Sequence, residues 1–170
     1  MMSPLVRRTW APKGQTPIFK ERCRSYKKVS AIAAVTTGAR RLRTRLYFSL
    51  HVDKNIRAAE TVRFLRSLRR QIQTPLMLIW DRSRIHKANA VQEYLKRHKR
   101  MLSFHFPAYA PELNPVEFFW SYLKVNPLAN RSVTEVESLA QVARYHSTSI
   151  KRRPNLIRSF LKATPLFCQK

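Results

Sequence analysis

Between positions 56 and 72, apolar residues return every three or four places, at Ala58, Val62, Leu65, Leu68 and Ile72, while arginines occupy the other faces. That period is the mark of an amphipathic helix with one stripe turned to a core. Just upstream the period shortens to two: Leu42, Thr44, Leu46 and Phe48 alternate with Arg43, Arg45 and Tyr47. Such alternation predicts a strand with one core face and one wet face. Val29–Val35 is a second β-prone run, and Thr36-Thr37-Gly38-Ala39-Arg40 between them has the composition of a turn, so an antiparallel hairpin is expected.

Pro75 closes the helix, and Leu76-Met77-Leu78-Ile79-Trp80 follows with no polar interruption. A continuous apolar run predicts a strand covered on both faces, as a central parallel strand is. Lys87–His98 carries Ala90, Val91, Tyr94 and Leu95 on one side and reads as a helix, with a short strand over Met101–Phe106 completing a β-α-β unit. Pro107-Ala108-Tyr109-Ala110-Pro111 breaks regular structure. Asn114-Pro115-Val116-Glu117 then opens a helix running to about Lys124, proline sitting at its first position. Further helices are expected over Val133–Ile150 and, after Pro154, on Leu156, Ile157, Phe160 and Leu161. The segment through Trp10–Pro17, rich in proline, is expected to be an ordered loop. The whole is a mixed sheet flanked by helices, of α/β or α+β class.

Composition narrows the partner. Among 170 residues, 34 Lys and Arg stand against nine Asp and Glu, a net charge of +25 that points to a polyanion and to nucleic acid first. A basic protein of a ribonucleoprotein satisfies the same balance. No apolar run approaches the roughly 20 residues of a membrane span, and Met1–Arg8 has no signal-peptide core, so a cytoplasmic, nucleoid-associated protein without membrane partners is expected. Cys23 and Cys168 lack neighbours at metal-ligand spacing and are read as reduced spectators.

In so basic a chain each carboxylate is either an ion-pair partner or a ligand for a cation. Asp81 directly follows the apolar strand, where the carboxyl ends of strands gather functional groups in open α/β sheets. Glu117 lies in the first turn of a later helix, with 35 residues between the two. Magnesium takes oxygen ligands and needs only one or two carboxylates, so two ions held from separate elements can clamp an in-line phosphoryl transfer. Each residue also has a plainer reading. Asn-Pro-x-Glu is itself a helix cap, and an aspartate after a strand often organises the next turn. His86 is a secondary candidate for the site, and Asn114 another.

The segments Leu76–His86 and Phe106–Trp120, with Arg7–Pro17 upstream, resemble the mariner-like DDE transposases of bacterial insertion sequences. The likeness extends to about residue 125, leaving 126–170 as a basic helical extension. It implies a ribonuclease-H-like fold and a partial catalytic domain over 1–125. It carries the second catalytic aspartate onto Asp81 and the third carboxylate onto Glu117, with two Mg2+ or Mn2+ ions and the Pro107–Asn114 loop placing the second helix. Glu117 can cap through one oxygen and bind metal through the other. The family's first aspartate, on a central strand, has no counterpart here; Asp53 and Glu21 do not match its motif.

The expectation is therefore a transposase fragment lacking the first central strand, with two strand edges unpartnered and low stability as an isolated chain. Its partners are transposon and target DNA, and a homo-oligomer or a mixed oligomer with intact transposase. The alternative is a catalytically inactive nucleic-acid-binding remnant that interferes with transposition.

Overall fold

The computed structural model describes residues 10–15, 28–38, 43–126, 128 and 136–165. The expectations placed on Leu42, Glu21, Cys23, Cys168, Arg7–Thr9, Thr16–Pro17 and Val133–Glu135 lie outside them. The elements run β1 (Val29–Thr37), β2 (Thr44–Val52), α1 (Ala58–Gln71), β3 (Leu76–Trp80), α2 (Asn89–Arg97), β4 (Met101–His105), a 3-10 turn (Pro111–Leu113), α3 (Pro115–Val125), α4 (Val136–Lys151) and α5 (Pro154–Lys162).

β1 and β2 form the antiparallel hairpin in continuous register from Val29 opposite Val52 to Thr37 opposite Thr44. Helix α1 starts where the Glu60 carboxylate accepts from the Arg57 amide at 3.0 Å and ends before Pro75. Its buried stripe is Phe64, Leu65 and Leu68. Burying three such side chains, at about 1.5–3 kcal/mol each, outweighs propensity differences of under about 1 kcal/mol per residue in an arginine-rich helix. β3 and β4 pair in parallel, Leu76 beside Met101 and Trp80 beside His105, with α2 as the crossover. The 10–15 loop turns on Gly14, whose φ of +83° suits glycine alone, and on a Gln15 amide bond to the Pro12 carbonyl.

Two clusters make the core. Val29 and Leu46 of the hairpin pack with Phe119 and Leu123 of α3, Ala143 and Ile150 of α4, and Ile157 and Phe160 of α5. The second gathers Phe64, Leu65 and Leu68 of α1 and Val91, Tyr94 and Leu95 of α2 with Tyr47 and Met101. The hairpin is thus covered on both faces. Tyr47, expected on a wet face, is buried against α1 and α2, because a second helical layer covers the side that a single strand's alternation assigns to water.

β3 departs from expectation in the opposite sense. Leu76, Leu78 and Trp80 face the second cluster, but Met77 and Ile79, with Leu102 and Phe104 of β4, are 48–64% exposed. Each strand has one ladder partner: the mixed sheet consists of two pairs that share no ladder among the described residues. β3 is therefore neither central nor covered on both faces here. No helix among the described residues is long and apolar enough to cross a membrane.

Candidate functional site

The carboxyl end of β3 delivers Asp81 into a tight loop. Its Oδ1 accepts from the Ser83 amide at 2.9 Å, so the aspartate does organise the turn. The same oxygen lies 3.3 Å from His86 Nε2, because successive turn bonds from His86, Lys87 and Ala88 to the carbonyls of Ser83, Arg84 and Ile85 fold the loop back on the strand. The His86 ring stacks on Trp80 with centroids 4.2 Å apart, and its carbonyl accepts from Gln92 Nε2 at 2.8 Å. Trp80 is itself fixed by its indole N–H donating to Ser103 Oγ across the strand pair. Arg82 Nε donates to the Phe106 carbonyl, tying the loop to the end of β4. Asp81 Oδ2 has no partner among the described residues, and the side chain is 63% exposed.

From His105 the chain passes through the 3-10 turn into α3. Asn114 caps that helix, its Oδ1 accepting from the Val116 amide at 3.1 Å, with Pro115 at the first position and Glu117 at the third. The capping role expected of this motif falls to the asparagine. The Glu117 carboxylate is exposed and takes no hydrogen bond or ion pair among the described residues. α3 is held by its opposite face, through Phe119 and Leu123.

A family model described as DDE superfamily endonuclease matches residues 2–140. The chain belongs to that family. The match takes in both carboxylates and the elements that carry them. DDE endonuclease membership agrees with the fold of solved relatives. A Mos1 mariner paired-end complex with Mn has a TM-score of 0.66 at 17% identity, covering 97% of this chain and 49% of that one. The Mos1 transposase paired-end complex with left transposon end gives 0.60 at 15% identity, over 96% and 48%. The Mos1 transposase catalytic domain with raltegravir and Mg gives 0.51 at 14% identity, over 79% and 78%. At these identities the likeness is one of fold, the mixed α/β, ribonuclease-H-like fold of that catalytic domain. This chain spans about half the length of the first two Mos1 chains, 49% and 48%. No curated protein sequence matches it.

The carboxylates of this family member fit a hard divalent cation in their chemistry. Asp81 and Glu117 offer exposed, unpartnered oxygens on separate elements, as a magnesium ion that keeps several waters requires. They do not make a closed cage. Among the described residues no three His, Cys, Asp or Glu side chains gather as a metal-holding group. His86 is brought to Asp81 and Asn114 is placed as a cap. Asp53 stands in a turn at φ 49°.

Sequence reasoning missed the Trp80–His86 stack and the Arg82 tether, although parallel pairing of Leu76–Trp80 with Met101–His105 would have set His105 beside Trp80. Burial holds the His86 imidazole below the usual histidine value; Asp81 opposes this and His105 reinforces it. Burial wins because Asp81 faces water, which screens its charge. The buried Nδ1 has no partner, as suits a neutral ring with its proton on Nε2 toward Asp81. The unfolded chain then takes up a proton first as pH falls through about 6.5, so His86 lowers stability between that pH and its own lower midpoint. An NMR titration of the metal-free protein is expected to show the His86 ring titrating below the usual histidine value of about 6.5. A midpoint at or above about 6.5 would mean that the Asp81 contact outweighs burial.

Proposed function

We propose that this chain is part of a DNA transposase catalytic domain, acting in metal-dependent cleavage and transfer of DNA strands. The observation that carries the reading is a pair of exposed carboxylates, Asp81 at the carboxyl end of β3 with one oxygen held and the other open, and Glu117 at the start of α3, inside the segment matched to the DDE endonucleases. When bound, divalent ions supply charge neutralisation at the phosphate and an activated oxygen nucleophile. Asp81 and Glu117 are assigned as their ligands. His86 and the Ser83 amide hold one Asp81 oxygen and leave the other free to bind, while the Trp80 stack keeps the imidazole in place.

Among the described residues no three His, Cys, Asp or Glu side chains gather, so these two ligands do not by themselves make a closed set. The same observation favours a second reading, a basic DNA-binding remnant that interferes with an intact transposase. On either reading the partner is DNA, with Mg2+ or Mn2+ as the ion on the first.

Manganese is paramagnetic and broadens nearby resonances. On titration with Mn2+ the indole signal of Trp80 and the ring signals of His86 are expected to broaden before those of Trp10 or His146. The effect is expected to vanish in Asp81→Asn and to weaken in Glu117→Gln. Uniform broadening, or broadening indifferent to both substitutions, removes the proposed metal site.

A further inference from the structure

Helix α4 turns Leu139, Ala140, Ala143, Ser147 and Ile150 inward. The stripe on its far side is also patterned: Gln141, Arg144, Tyr145 and Thr148 stand at i, i+3, i+4 and i+7, and Arg152 follows where the helix ends. With Ser149, and Arg153 from the turn into α5, they line a cleft of about 700 Å³. Every one of these seven side chains carries a hydrogen-bond donor, and among the described residues no carboxylate lines the cleft.

Some surface arginines are engaged by neighbouring groups. In α1, Arg63 pairs with Glu60 and Arg69 donates to the Ile72 carbonyl; in α2, Arg97 lies 4.0 Å from Glu93. None of Arg144, Arg152 and Arg153 has an ion-pair partner among the described residues. Tyr145 stands 71% exposed between them, set edge-on against the His146 ring. Arg153 is also the N-cap residue of α5, an end that no side chain caps, so the helix dipole adds positive potential there.

We propose that this cleft is a seat for the sugar-phosphate backbone of duplex DNA, separate from the carboxylate site, with Arg144, Arg152 and Arg153 on phosphates and Thr148 and Ser149 donating to their oxygens. From Arg144 to Arg152 the helix rises about 12 Å, the axial span of three to four nucleotides of one strand. Guanidinium forks suit phosphate oxygens, and exposed hydroxyls add neutral donors without adding charge. The choice of DNA as the ligand rests on the proposed function; the geometry of the cleft does not depend on the carboxylates.

The test is fluorescence anisotropy of a labelled duplex over a salt titration. Arg144→Gln/Arg152→Gln/Arg153→Gln is expected to lower the slope of log K against log salt by about 2–3 and to weaken binding about 10²-fold at low salt. Arg70→Gln/Lys96→Gln/Lys99→Gln removes the same charge from α1 and the α2 region, and is expected to change the slope by less than about 1. Should the triple cleft variant fail to fold, Arg144→Gln/Arg152→Gln is expected to lower the slope by about 2. Equal losses from the cleft and control variants overturn the proposal, because binding would then follow net charge alone. Preferred binding of single-stranded DNA, lost in Tyr145→Ala, overturns the duplex assignment. If the unsubstituted protein binds no DNA, it is the transposase reading that fails, whereas loss of the Mn2+ signature with the cleft result intact removes only the metal site.

Discussion

Asp81→Asn and Glu117→Gln are each expected to lower metal-dependent strand cleavage by on the order of 10²–10³-fold while leaving DNA binding intact. The two effects separate because the carboxylates have different relations to metal and to DNA. An amide keeps the shape of the side chain and the turn bond from the Ser83 amide, but loses the charge that a hard cation needs. If each ligand contributes several kcal/mol of transition-state stabilisation, a loss of about 3–4 kcal/mol corresponds to the stated factor. Binding is driven by a net charge of +25, and removing one negative charge raises it. Affinity should therefore hold steady or tighten slightly. The measurement is nicking of supercoiled DNA with Mg2+ or Mn2+, with EDTA as control, beside anisotropy on the same preparations. If the unsubstituted chain binds DNA and releases no nicked product under any metal, the remnant reading stands. Equal nicking by variant and parent would show that these carboxylates are turn and surface residues.

Phe119→Ala is expected to cost about 3–5 kcal/mol of stability, the largest effect of a single substitution in this fold. The ring is fully buried, packed 4.6 Å from Trp120 and 6.3 Å from Phe160 between centroids, where α3, α5 and the hairpin meet. Its removal leaves a cavity that three elements would have to collapse into. Small domains have only about 5–15 kcal/mol in total, and four strands with a single ladder partner each place this one toward the lower end. The melting midpoint should drop by roughly 6–20 °C in circular dichroism. Glu117 sits two residues earlier on the same helix, so Phe119→Ala should also weaken Mn2+-dependent broadening without touching the ion. Glu117→Gln, whose carboxylate has no partner among the described residues, should melt as the parent does. An unchanged midpoint in Phe119→Ala would show that α3 does not pack on the hairpin as described.

Local chemistry carried much of the candidate site. The strand end at Asp81, the N-cap at Asn114 and the third helical position of Glu117 follow from a few residues each, and the structure places all of them so. Whether Glu117 caps or stays free was open in the sequence, because both roles use the same motif. The Asn114 amide that Glu117 would cap donates instead to the Pro111 carbonyl at 3.0 Å, which leaves the glutamate without a partner among the described residues. His86 was legible only as a neighbour in sequence. Its contact with Asp81 needs the loop to fold back and Trp80 to offer a ring, a three-dimensional coincidence that spacing does not encode.

The order and type of the elements belong to the sequence itself, because periods of two and of 3.6 reflect backbone geometry one segment at a time. So does the strong positive charge. Which faces are covered belongs to the tertiary structure alone. Tyr47 is buried although Arg43 and Arg45 on the same face suggested a wet side, and Met77 and Ile79 are exposed although their run suggested a strand enclosed on both faces. Burial depends on what another element brings to a face, and a strand's own residues cannot specify whether a second helical layer arrives there, as α1 and α2 do for the hairpin, or does not, as on the open side of β3 and β4.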